Sequence, residues 1–367
     1  MNENLCALNA VINFIENDES NEVNQSSPQS TNKINMEGDD FEEYIKRLFV
    51  PEAEKQEPLD KEKNEKIKEA NTKLYEKYFS FLGEKNHPPD LIVKEGDAIE
   101  VKKIQGTTTT TSSLELNSSP PRAKLFNNDS KISATGRGSD GGDWAEKDNL
   151  YILGCKIKNQ KKLNYIWFFY GDCHAENNSY QPLNDELSKE IGKILNANPK
   201  GEVDEDGNEL GRLNKIDSYN ATNLRVRGVY MLTNPFIMFY EYFKNDQINY
   251  THLNNVKKGI NCQHFSNDDK KEVSFLNTEI NNKDTSQTKI KSLLTKRKKL
   301  AESYMSGLHF LCRKEKYDSF PHKTREKFEA LIGEKQYSGL TKNNIKIMDP
   351  DNIDKLIDAV YITYKKS

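Results

Sequence analysis

Cysteine is scarce and scattered. The 367 residues hold five (Cys6, Cys155, Cys173, Cys262 and Cys312), and no two form a CxxC pair. That spacing argues against a zinc ribbon, and it fits a reducing compartment. Cys173-His174 has no ligand cluster around it in the sequence, so metal or thiol chemistry is not expected there. Long apolar runs are missing too: nothing approaches the roughly 20 residues of a membrane span. The apolar start "LCALNAVINFIEN" is preceded by Glu3 and by no lysine or arginine, unlike a signal peptide. Leu5, Leu8, Ile12 and Ile15 recur there at helical spacing instead. A cytoplasmic protein without a membrane partner is the expectation. Charge of one sign is also lacking, because the formal net charge is only -3. The chain is not a general polycation, and any contact with nucleic acid needs a local basic patch. No internal repeat is visible, and "GRGSDGG" lacks the GK[ST] ending of a phosphate-cradling loop, which argues against ATP.

What is present is a polar chain with strongly apolar segments. Apolar residues make up 35%, charged residues 30%, and the mean hydropathy is -0.87. Segments such as "YIWFFYG" favour a real core with inserted polar loops over disorder, and Trp144 and Trp167 read as packing residues. In "GDDFEEYIKRLFV", Phe41, Tyr44, Ile45, Leu48 and Phe49 form one face of a helix expected to start at Gly38, with Glu42 on its first turn. "LDKEKNEKIKEANTKLYEKYFSFLG" reads as a charged helix whose lysines face solvent. "DLIVK" and "AIEVKKI" read as two strands joined by Glu95-Gly96-Asp97. "NLYILGCKI", "LNYIWFFYGDC" and "LRVRGVYML" read as further strands, and residues 185–196 as a helix. Lys296 to Lys299, in "KRKKL", read as a solvated helix face rather than a phosphate-binding patch.

The order of elements predicts an α/β fold with a mixed central sheet flanked by helices and carrying inserted polar loops. Three parts are expected: an N-terminal helix and polar linker (1–35), a core (36–245), and an insertion with a C-terminal α/β part packing on that core (246–367).

The chemistry concentrates in "PPDLIVKEGDAIEVKK", residues 88–103. Residues two apart on a strand share a face, so Glu100 and Lys102 project together while Lys103 faces the other way. If the hairpin closes at Gly96, Asp90 comes within reach of Glu100. Two converging carboxylates form a hard oxygen site suited to Mg²⁺, and an adjacent lysine can position a water or a phosphate. The alternative is a solvent-facing Glu–Lys pair on an edge strand; the apolar runs around each charge favour a central hairpin. Glu42 is either an acid complementing the helix dipole or a further carboxylate of the site. Asn117, Ser118, Ser119, Arg122 and Lys124, in "NSSPPRAKL", offer partners for phosphates or base edges, the alternative being a proline-bounded turn. Arg225 and Arg227 share a strand face and could read guanine edges or make ion pairs inside the fold.

With Pro89-Asp90, Glu100-Val101-Lys102 and Glu42 in place, the chain resembles the PD-(D/E)xK nuclease superfamily. It is similar more closely to the NgoPII family of type II restriction endonucleases, through "NHPPDLIVKEGDAIEVKKI", "LELNSSPPRAKL", "DWAEKDNLYILG", "YGDC", "LRVRGVYMLTNP", "FPHKTREKFEAL" and "IMDPDN". The resemblance runs from about residue 36 onwards. It implies a PD-(D/E)xK restriction-endonuclease-like core and Mg²⁺-dependent cleavage of double-stranded DNA at a short, GGCC-type palindrome. It also implies a homodimer matching the two-fold site, and a DNA methyltransferase as functional partner. Asp90, Glu100 and Lys102 carry over as the catalytic set, with Asp90 and Glu100 on the metal, and Glu42 beside them. Segments 107–113, 136–143 and 244–300 look like insertions relative to that family. A structure-specific or repair nuclease, or an inactive DNA-binding module of the same fold, are the other readings.

Overall fold

The computed structural model describes residues 5–16, 33–55, 61–84, 87–106, 113–116, 120–157, 163–173, 175, 180–197, 202–203, 210–216, 218–219, 221–233, 267–303, 307–334, 341–345 and 357–364. Three helices come first: α1 (Ala7–Glu16), α2 (Lys33–Phe49) and α3 (Lys61–Tyr78). Strands β1 (Phe79–Phe81), β2 (Leu91–Val93), β3 (Ala98–Gly106), β4 (Ser113–Glu115) and β5 (Lys124–Phe126) follow. One turn of helix, α4 (Ala134–Arg137), leads to the long strands β6 (Glu146–Ile157) and β7 (Leu163–Tyr170), and then to α5 (Gln181–Asn196). Four short strands come next: β8 (Glu202–Val203), β9 (Gly211–Asn214), β10 (Leu224–Val226) and β11 (Met231–Thr233). A helix pair, α6 (Asn267–Asn281) and α7 (Gln287–Ser303), precedes β12 (Gly307–Arg313), α8 (Lys314–Ser319), α9 (His322–Glu334), β13 (Thr341–Ile345) and β14 (Ile357–Tyr364).

The expected mixed α/β architecture is what the chain forms. The central nine-stranded sheet runs β1-β2-β3-β6-β7-β12-β14-β13, with β5 alongside the start of β6. β3 and β6 are parallel, as are β7 and β12; the other neighbours are antiparallel. Alternation along the strands divides the core in two. Leu150, Ile152, Ile166, Phe168, Leu308 and Phe310 face one side, with Phe41, Ile45, Leu8, Ile12 and Ile15 of the N-terminal helices. Tyr151, Leu153, Tyr165, Trp167, Phe169 and Leu311 face the other. Gly154 is what lets α2 lie close: a Cβ there would sit 2.3 Å from the Phe41 ring. Leu8, Ile12 and Ile15 are fully buried, and each such side chain is worth roughly 1.5–3 kcal/mol, so α1 is a core element.

Three expectations change. The helix carrying Glu42 starts at Lys33 rather than Gly38, so Glu42 lies in mid-helix and is not an acid at the dipole. "LRVRGVYML" is two strands, not one: β10 pairs with β9 and β11 pairs with β4, in separate small sheets. Gly228 falls between them, where a residue without a side chain weakens continuous pairing. The C-terminal strands β12, β13 and β14 are members of the central sheet itself. Among the described residues, no helix is long and apolar enough to cross a membrane.

Candidate active site

The hairpin forms where the β-branched run predicts it. Val93 N–H donates to the Asp97 carbonyl at 3.0 Å and Gly96 N–H to the Val93 carbonyl at 2.9 Å. Glu95 takes the left-handed backbone (φ 54°) that the tight reversal demands. Leu91 then lies opposite Ile99, which brings Asp90 alongside the middle of β3. Behind it the chain passes within backbone contact: a Cβ on Gly83 would sit 2.7 Å from the Asp90 carbonyl oxygen.

The three side chains of the sequence motif meet. Asp90 Oδ2 accepts a hydrogen bond from Val101 N–H at 2.6 Å. Lys102 Nζ donates to Glu100 Oε1 at 2.5 Å and stands 3.7 Å from Asp90 Oδ2. β3 is flanked by β2 and β6, so this is no edge strand. Glu42 makes an ion pair with Lys46 one turn on, at 2.7 Å, and its charge reaches Asp90.

The electrostatics of the cluster follow from this crowding. Burial and the neighbouring Glu100 charge, with a smaller push from Glu42, raise the Asp90 pKa to about 7, against the opposing pull of Lys102 and the Val101 N–H. Its side chain nevertheless keeps 29% of its surface exposed, so substrate and ions can reach it. Burial works against the Lys102 ammonium, but Glu100 and Asp90 outweigh it and hold its pKa above the ordinary lysine value.

Those oxygens fit a hard divalent ion. Among the described residues, no group of three or more His, Cys, Asp or Glu side chains is placed to hold a metal. Mg²⁺, however, binds through one or two carboxylates and completes its shell with water and phosphate oxygens. Asp90 and Glu100 would be such a pair. The raised proton affinity of Asp90 comes first from burial and then from the Glu100 charge.

The other candidates are distributed unevenly. Asn117, Ser118 and Ser119 lie outside the described residues. The Arg122 guanidinium pairs with Asp129 at 3.1 Å and is only 14% exposed. Lys124 faces Glu146 at 2.7 Å and Asp148 at 3.3 Å. Both cations thus have carboxylate partners within the fold. Arg225 and Arg227 are exposed, on and just after β10, away from the central sheet. Lys296 pairs with Glu272 across the α6–α7 pair, and Trp167 is buried in the core.

Sequence reasoning missed Tyr151. It lies beside Glu100 in the parallel β3–β6 pairing, and its hydroxyl accepts a hydrogen bond from Arg122 N–H at 2.8 Å. Burial, then the Glu100 charge, push its pKa up to about 12, so it stays protonated. The signal was the alternation of "NLYILGC", but which strand neighbours β3 cannot be read from local pattern.

Comparison with known proteins fits this geometry. A family model described as NgoPII restriction endonuclease matches residues 5–291. The chain belongs to the NgoPII restriction endonuclease family. It is 35% identical over 256 residues to the type II restriction enzyme NgoPII of Neisseria gonorrhoeae, covering 70% of this chain and 81% of that protein. No solved structure matches the chain. The NgoPII-family match takes in the hairpin, Glu42, Tyr151 and β10, and it ends inside α7, before the last three strands of the central sheet.

Proposed function

We propose that this chain is a Mg²⁺-dependent type II restriction endonuclease that hydrolyses phosphodiester bonds of double-stranded DNA at a short palindrome of the GGCC type. The observation that carries the reading is the convergence of Asp90, Glu100 and Lys102 on a central strand, in a chain of the NgoPII family. Asp90 and Glu100 hold the cation. When bound, Mg²⁺ supplies a water of lowered pKa and neutralises charge on the phosphate. Lys102, kept protonated by the two carboxylates, orients the attacking water or stabilises the charge that builds on the phosphate oxygens. Glu42, steadied by Lys46, adds negative potential at Asp90 and strengthens its demand for a cation.

A two-fold site calls for a two-fold protein, so a homodimer is part of the reading, as is a DNA methyltransferase that protects the host's own sites. DNA contact is assigned to Asn117, Ser118 and Ser119, and to Arg225 and Arg227. Arg122 and Lys124 join them only if phosphates displace Asp129, Glu146 and Asp148.

The test is a plasmid digest with Mg²⁺ and with EDTA, followed by sequencing of the ends. Discrete bands with one common end sequence, abolished by EDTA, are expected. A smear would favour a structure-specific or repair nuclease. Band-shift binding with no cleavage in Mg²⁺ or Mn²⁺ would favour an inactive binding module.

A further inference from the structure

Residues 120–123 lead into β5, and this segment is anchored at one residue from several sides. The Arg122 N–H donates to the Tyr151 hydroxyl at 2.8 Å. Its carbonyl accepts from Asn149 Nδ2 at 3.4 Å. Gly171 meets the same carbonyl so closely that a Cβ there would sit 1.9 Å away, which no side chain permits. Its guanidinium pairs with Asp129 at 3.1 Å. Tyr151 and Asn149 are on β6, and Tyr151 is the register partner of Glu100. The Tyr151 ring is fixed by stacking on Phe169, with centroids 5.1 Å apart and planes 10° from parallel. Packing alone would be served equally by phenylalanine; what the hydroxyl adds is an acceptor for a main-chain amide, whose loss would leave a buried donor unpaired.

We propose that Tyr151 is a positioning residue of the nuclease, using its hydroxyl to lock the Pro121-Arg122 backbone to β6 beside Glu100, so that the segment carrying Arg122 and Lys124 and the strand carrying Glu100 and Lys102 keep one fixed register. The proposal rests on the nuclease reading above. It assigns Tyr151 no contact with the reacting atoms. Its effect is registry: the 120–126 segment and the strand that carries Glu100 and Lys102 are held to one another through β6.

Tyr151→Phe keeps the ring and removes the acceptor. Three measurements on the full-length protein test it: single-turnover cleavage of a duplex carrying one mapped cut site, half-saturating enzyme concentration on that duplex, and hydrogen exchange of the peptide spanning 120–126. The expected result is a cleavage rate at saturation lowered about tenfold or more, since ångström-scale misplacement of reacting groups is costly. The half-saturating concentration should move less than about threefold, and protection at the Arg122 amide should be lost. An unchanged rate per folded molecule, with only a lower melting temperature, would reduce Tyr151 to a packing residue and overturn the proposal. So would an Arg122 amide that stays protected. A wild-type protein that fails to cut would sink the nuclease reading, and the positioning role with it, while the exchange data would still decide whether Tyr151 holds the Arg122 amide.

Discussion

Asp90 is the residue on which most depends, and its ionisation gives a test free of DNA. In the folded, metal-free chain its carboxyl titrates near 7, against an ordinary value of 3.8. The folded state therefore keeps a proton that the unfolded chain releases near pH 4. Stability is lost from this group as pH rises from about 4 to 7, and the penalty stays constant above that. Asp90→Asn removes the charge, so its melting temperature should exceed that of wild type at pH 8 in EDTA, with the gap closing towards pH 4. Identical pH profiles would mean that Asp90 is not charge-frustrated. The same variant should lose cleavage while retaining specific DNA binding, and divalent-ion binding by wild type near pH 6.5 should release protons measurable by calorimetry in buffers of different ionisation enthalpy. On β3, Lys102→Ala should slow cleavage by about 10²-fold, the loss expected for one preorganised charge-stabilising group. Lys103→Ala should do far less. Lys103 is paired in register with Gly154 on the α2 side, whereas Lys102 points at the carboxylates. Equal losses at 102 and 103 in single-turnover assays would overturn that assignment of faces.

At the level of elements, the hairpin carrying Asp90, Glu100 and Lys102 is legible in the sequence because its information is local: β-branched runs, a turn, and charges at period two. The helical face of Phe41, Tyr44, Ile45 and Leu48 was legible for the same reason, and all four are buried. Where reading failed, the deciding contact was distant. α2 extends back to Lys33, past Gly38, whose cost in a helix is small beside the packing of the helix's later turns. β10 and β11 separate because each finds a different partner strand, which no periodicity announces. That separation bears on Arg225 and Arg227, which belong to the β8–β10 sheet and its exit, not to a strand continuing through Thr233. If they read guanines, Arg225→Ala or Arg227→Ala should cost roughly 1–3 kcal/mol of specific binding and leave binding to random DNA nearly unchanged. Phosphate contact would weaken both together and flatten the salt dependence. Affinities for both DNAs across a salt series separate these outcomes, and unchanged specific affinity in both variants would remove this sheet from the recognition surface.

For the whole molecule, the central sheet is completed by a segment that the family match does not reach. The match ends at residue 291, yet β12 lies between β7 and β14 in the central sheet. Leu308, Phe310, Tyr317, Phe320 and Phe328 from this region all join the main core. At roughly 1.5–3 kcal/mol for each large apolar side chain buried, those five alone rival the 5–15 kcal/mol by which whole domains are stable. The region also reaches the β2–β3 hairpin by charge. Lys316 Nζ on α8 lies 2.6 Å from Asp97 Oδ1, in the hairpin turn, and 2.6 Å from Asp148 Oδ2 at the start of β6. Asp97 also accepts from the Tyr170 hydroxyl at 2.5 Å. Removing the ammonium leaves a mostly buried carboxylate without its cation, so Lys316→Met should lower stability by about 3 kcal/mol in urea unfolding. Deleting the region should do more. A chain ending at residue 304 is expected to show no cooperative unfolding transition and no cleavage, because β7 would become an exposed edge and the α1 face would lose α9. A cooperative 1–304 fragment with a near-native midpoint would instead make β12, β13 and β14 an appendage on a complete nuclease, and would leave Lys316 no part in holding the hairpin.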